Sequence, residues 1–144
     1  MQYQQILAAV DTTEDSKQVL DAAQRLSRDH DAPLSLVTVV KPFMQVYGGI
    51  DTAAIADIER GAVDQATAAL NERAESLGLD SDHVFVVRGT PAVEIRTLAR
   101  EIEASVIVIG THGRSGMGLM LLGSTANGVL HGTDCDVLAI RISQ

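Results

Sequence analysis

The chain has 144 residues, 46% of them apolar and 21% charged, which suits one globular domain spanning residues 1–144 and excludes an intrinsically disordered chain. With 11 basic against 19 acidic residues, a net charge of −8 and only two lysines, it lacks the basic footprint of a general nucleic-acid binder or of a protein drawn to anionic membranes. The single cysteine, Cys135, excludes a disulfide framework and points to a reducing compartment.

Residues 5–10, Gln-Ile-Leu-Ala-Ala-Val, form a short apolar run that stops at Asp11, as expected of a strand buried on both faces. Thr12, Thr13 and Asp15 then offer caps for a helix whose inner face carries Val19, Leu20, Ala23 and Leu26. Pro33 ends that pattern, and residues 34–40 are a second β-rich run. Pro42 and the Gly48-Gly49 pair mark residues 41–51 as a loop. A long helix follows over residues 52–77, with Ile55, Ile58, Ala62, Ala66, Ala69 and Leu70 at helical spacing and Gly78 placed to stop it. Residues 83–88 predict a third strand, and Thr90-Pro91 reads as the N-cap and first residue of a helix buried through Ile95, Leu98, Ala99 and Ile102. Residues 106–109 predict a fourth strand. A glycine-rich stretch and a short helix with Ala126, Val129 and Leu130 facing inward come next, and the last strand lies within residues 136–142.

This alternation of strands and helices predicts an α/β fold: a five-stranded parallel sheet with helices on both faces. In such sheets ligands bind beyond the carboxyl ends of the strands, where the strand order reverses. Strand one ends at that edge in Asp11, strand two near Val39-Val40, and strand four runs there into Gly110.

The segment after strand four carries five glycines within residues 110–123 and then opens a helix at Gly123-Ser124-Thr125. Glycines let backbone N–H groups approach a ligand, and the N-terminus of a helix favours an anion through its open amides and its dipole. Arg114 adds a full positive charge. The combination suits a phosphate chain; the competing reading is a surface loop followed by an ordinary capped helix. The P-loop pattern is excluded because no lysine lies beyond Lys41, and Gly116-x-Gly118 has neither the spacing nor the position of the dinucleotide fingerprint.

Gly110-x2-Gly113-x9-Gly123-Ser124 does resemble the Gly-x2-Gly-x9-Gly-Ser/Thr motif of the universal stress protein family, in its ATP-binding branch. The opening Ile6-Leu7-Ala8-Ala9-Val10-Asp11, the stretch from Val106 through Gly116 and Asp136-Val-Leu-Ala-Ile140 resemble that family as well, so that the likeness covers nearly the whole chain. The resemblance implies a Rossmann-like, adenine nucleotide alpha hydrolase-like fold with strand order 3-2-1-4-5, whose reversal falls between strands one and four, where Asp11 and Gly110 would meet. It also implies an adenine-nucleotide site: Ala9 and Asp11 beside the nucleoside, Asp11 near the ribose, and Val39 at the adenine edge through its backbone. Gly110 and Gly113 would shape the loop, with Thr111, His112 and Arg114 in the same matching segment, and Gly123, Ser124 and Thr125 would bind phosphate oxygens. Some members have proline at the place of Ala9, a departure that should not abolish binding.

Asp11 alone could equally be a helix cap, and His112 could be a turn residue rather than a proton or phosphate donor. His30, His83 and His131 share no metal-ligand spacing. The function implied is an ATP-binding regulatory module in stress adaptation, with ATP, ADP or AMP in the pocket, Mg²⁺ held mainly by the phosphates, and a regulatory protein partner. The alternatives are a slow ATPase or self-phosphorylating enzyme using Arg114, Ser124 and His112, and a nucleotide-free interaction scaffold. The resemblance further implies a homodimer, for which the short apolar last strand at a sheet edge provides a surface. No apolar run is long enough to span a membrane and the first residues lack a signal-peptide pattern, so a cytoplasmic location is expected.

Overall fold

The computed structural model describes residues 2–11, 13–42, 51–111 and 123–142. The elements in chain order are β1 (Ile6–Ala9), α1 (Ser16–His30), β2 (Leu34–Val40), α2 (Thr52–Ser76), a 3₁₀ turn (Ser81–His83), β3 (Val84–Arg88), α3 (Pro91–Glu101), β4 (Val106–Gly110), α4 (Ser124–Gly132) and β5 (Asp136–Ile140).

All four strand pairings are parallel and the order is β3-β2-β1-β4-β5, as the sequence predicts. β1 and β4 are buried along almost their whole length, which explains why they read as unbroken apolar runs. Alternate residues serve opposite faces. Ile6, Ala8, Leu36, Val106 and Val108 pack with Val19, Leu20, Ala23, Leu70 and Ala74 of α1 and α2. Leu7, Ala9, Val37, Ile107 and Ile109 pack with Ile95, Leu98, Ala99, Ala126 and Val129 of α3 and α4. The molecule therefore has three layers, and the helices leave the carboxyl ends of the central strands uncovered.

Local chemistry sets several element ends. Gly78 adopts φ +75° after α2, its N–H donates to Glu75 O at 3.1 Å, and Leu79 N–H donates to Ala74 O at 2.9 Å. That pair of bonds is a Schellman stop, and it needs the left-handed residue that glycine supplies. Thr90 precedes Pro91 at the start of α3, also as predicted.

Three expectations are corrected. The long helix is buried only through Ala66, Leu70 and Ala74, while Ile58 is 48% exposed and Ile55, Ala62 and Ala69 are only half-buried. The reason is length: 25 residues make a rod of roughly 37 Å, whereas the seven residues of β2 span roughly 23 Å. Leu130, expected to face inward, is 47% exposed on α4. At α1, Asp15 holds the N-cap position but, like Thr90 at α3, makes no side-chain cap bond; Thr12 lies outside the described residues, and the turn is organised by the Asp11 carboxylate.

Candidate functional site

The carboxyl edge of the sheet opens into a cleft of about 640 Å³ where β1 and β4 send their following helices to opposite faces. Its floor is apolar, formed by Ala9, Val37 and Ile109, with Val39 and Ile95 to one side. One wall is the start of α4 with Gly123, Ser124, Thr125 and Ala126, and the facing wall is the β1–α1 turn with Asp11, Asp15 and Ser16. Of the predicted residues, Ala9, Asp11, Val39, Gly110, Gly123, Ser124 and Thr125 all line this cleft. His112, Gly113 and Arg114, together with the rest of the glycine-rich stretch over 112–122, lie outside the described residues.

Thr111 sits behind the cleft as a fastening. Its N–H donates to Ile140 O at 2.9 Å, its hydroxyl accepts from Ile142 N–H at 3.3 Å, and its carbonyl accepts from Gly123 N–H at 2.5 Å. The start of α4 is thereby tied to the end of β4. The Gly123 amide is consequently committed within the chain. Ser124, Thr125 and Ala126 are the amides of the first turn, with no acceptor among the described residues; the helix's own ladder begins with Asn127 N–H to Gly123 O at 2.9 Å. Three donors at the positive end of a helix dipole thus face the cleft.

Gly110 has a packing role. A β-carbon there would come within 3.2 Å of the Ile142 side chain and 3.4 Å of Val19, so its missing side chain lets Ile142 fold back beneath the cleft. Ile142 itself is buried and lines the cavity.

Asp11 is held by its own turn. Its Oδ1 accepts from Thr13 N–H at 2.8 Å, from the Thr13 hydroxyl at 2.5 Å and from the Ser16 hydroxyl at 2.8 Å, and its N–H donates to Ser16 Oγ at 2.9 Å. Ser16 is buried to 3% exposure at the first position of α1. Arg73 of α2 donates to the carbonyls of Asp11 and Thr13. Sequence reasoning missed Ser16, Arg73, Lys41 and Ile142. Ser16 carried a signal, being the first residue after the predicted caps; Arg73 carried none, because it meets Asp11 from 62 positions away.

The charges among the described lining residues are Asp11 and Asp15 against Lys41, an acidic balance set opposite the amides of α4. Elsewhere, His30 accepts Tyr3 N–H at Nδ1 and His83 bonds the buried Ser35, so both serve local structure. Among the described residues no three His, Cys, Asp or Glu side chains converge as a metal site, and no helix is long and apolar enough to cross a membrane.

Residues 2–141 match the model of the universal stress protein family. The chain is 38% identical to universal stress protein A homolog 2 of Coxiella burnetii, over 97% of this chain and 96% of that protein. Its backbone is similar to that of universal stress protein UspA from Lactobacillus plantarum, with a TM-score of 0.84 at 23% identity over 98% and 99% of the two chains. It is also similar to a universal stress protein solved in complex with cAMP, with a TM-score of 0.67 at 26% identity over 99% and 100%.

Proposed function

This chain belongs to the universal stress protein family, and from that premise we propose that its cleft binds an adenine nucleotide and that occupancy regulates the protein in stress adaptation. The observation that carries the proposal is the trio of Ser124, Thr125 and Ala126 amides at the head of an apolar-floored cleft of about 640 Å³. Phosphate oxygens are the acceptors such a trio suits, and the apolar lining of Ala9, Val37, Val39 and Ile109 suits a purine ring. Asp11 on the opposite wall is placed to accept from ribose hydroxyls. The family resemblance supports the same assignment of Ala9, Asp11, Val39, Gly110, Gly123, Ser124 and Thr125, and extends it to His112, Gly113 and Arg114. The relative solved with cAMP supports a nucleotide of this class.

ATP is the proposed ligand, with ADP, AMP and cAMP as competitors for the same amides. Asp11 and Asp15 oppose a bare triphosphate, so ATP carrying Mg²⁺ is the better match in charge. Binding would act as a switch only to the extent that it favours one conformation of the molecule over another, which a protein partner could then read. Phosphoryl transfer is the weaker reading: Ser124, the described candidate for it, has no side-chain hydrogen-bond partner among the described residues to act as its base.

Calorimetric titration tests the proposal. The parent protein is expected to bind MgATP saturably at one site per chain. Ser124→Asp is expected to weaken binding at least about tenfold by placing a carboxylate against the phosphates. Its folding stability should hold or rise, because acids are favoured at a helix start. Binding of no adenine nucleotide by the parent, or equal binding by Ser124→Asp, would contradict the assignment.

A further inference from the structure

The turn that carries Asp11 is anchored by a residue that does not touch the cleft. Arg73 projects from α2 and donates Nη1 to Asp11 O and, at 3.1 Å, Nη2 to Thr13 O. The planar guanidinium meets both carbonyls of the turn at once, a two-point contact that a lysine cannot reproduce. Arg73 is absent from the cleft lining, so any effect it has on a ligand passes through Asp11.

That effect follows from one proton. The Ser16 hydroxyl lies 2.9 Å from Asp11 O and 2.8 Å from Asp11 Oδ1, and can donate to only one of them at a time. With the guanidinium already on one lone pair of Asp11 O, that carbonyl is the poorer acceptor and the Ser16 proton is biased toward the carboxylate. Oδ1 then collects three donors, namely Ser16 Oγ and both the N–H and the hydroxyl of Thr13, which fixes the carboxylate's rotation. Without the guanidinium, Thr13 O keeps the Ser16 N–H at 3.2 Å, while Asp11 O loses its charged donor and competes for the serine proton.

We propose that Arg73 is a positioning residue that sets the Asp11 carboxylate for the ribose hydroxyls of the bound nucleotide. The inference rests on the nucleotide reading above, and one of its two tests does not depend on that reading.

The test uses the full chain with Arg73→Gln and Arg73→Lys. Amide exchange by NMR without any ligand reads the turn directly. Thr13 N–H is expected to exchange about tenfold faster in Arg73→Gln and at an intermediate rate in Arg73→Lys, consistent with loss of about one charged hydrogen bond. The Leu70 and Ala74 amides of α2 are expected to stay as in the parent. Affinities for MgATP and 2′,3′-dideoxy-ATP then read the carboxylate. The parent is expected to favour the ribose nucleotide about tenfold. Arg73→Gln is expected to reduce that preference to within about threefold, and Arg73→Lys to restore part of it. Unchanged Thr13 exchange overturns the proposal, as does an affinity loss that is equal for the two nucleotides, or a parent without ribose preference. If the parent binds neither nucleotide, the reading of the cleft fails as well, and with it the ribose-positioning role; accelerated Thr13 exchange would then leave Arg73 as a brace of the turn alone.

Discussion

One oxygen of the Asp11 carboxylate is committed to its own turn, where Thr13 and Ser16 supply its donors. Replacing Asp11 by Asn keeps a carbonyl oxygen for those donors and removes the charge. Asp11→Asn is therefore expected to lower nucleotide affinity about tenfold, the scale of a charged hydrogen bond, while thermal unfolding stays close to the parent's. Titration of binding against a ribose-free analogue checks that the loss lies at the sugar. At the other end of the sheet, Tyr3 donates its hydroxyl to Asp136 Oδ2 at 3.0 Å. This hydrogen bond, then slight burial and the carboxylate's charge, holds the phenol above its ordinary value. The neutral form is the one favoured in the folded chain, so the contact's contribution is complete below about pH 10 and fades as pH climbs through the raised value. Ultraviolet titration is expected to show a late phenol that Tyr3→Phe removes. Asp11 was legible from its place at the end of an apolar run. Its partner Arg73 was not, because a contact across 62 positions leaves no trace in local pattern.

At the scale of elements, burial decides what a residue's helical spacing means. Gly61 lies inside α2 with no atom within 4 Å of where a β-carbon would stand, so Gly61→Ala is expected to stabilise the protein by about 0.5–1 kcal/mol through helix propensity. Gly128 lies inside α4 with the Ala92 β-carbon only 2.7 Å from the same position. There the helices must separate, and Gly128→Ala is expected to cost about 1–3 kcal/mol despite the better propensity. Denaturant unfolding of the two variants checks the opposite signs. Strand identities and the stop at Gly78 were legible because each depends on short-range chemistry, namely unbroken apolar runs and a required left-handed glycine, whereas the strand order was legible only through the family resemblance. The inner face of α2 was only half legible. Ile55 and Ile58 have the right period, but the sheet they would cover ends before them. Leu130 misled for a similar reason, since α4 rests on the sheet through Ala126 and Val129 alone.

For the whole molecule, β5 is an edge strand whose one strand partner among the described residues is β4, and Leu138 on it is 38% exposed. An apolar edge of this kind favours pairing with a second copy about a two-fold axis. The proposed homodimer along β5 is expected to appear in light scattering at twice the 15.3 kDa chain mass, and Leu138→Lys is expected to shift it toward the monomer. The cleft was legible at this scale as a place, because strand order alone fixes where the two central strands diverge. Its detailed division of labour was not. Gly123 was read with Ser124 and Thr125 as a phosphate-binding residue; its N–H donates to Thr111 O, so the proposal rests on the Ser124, Thr125 and Ala126 amides. Backbone partners of that kind depend on where the chain returns after residues 112–122.

The account depends most on the amides at the head of α4. Titrating ¹⁵N-labelled protein with MgATP and following every amide resonance reads them directly. The account predicts saturable shifts concentrated at Ser124, Thr125 and Ala126, with companions at Asp11 and Val39. Shifts confined to the opposite edge of the sheet around Arg100 and Cys135, or none at saturating nucleotide, would contradict it.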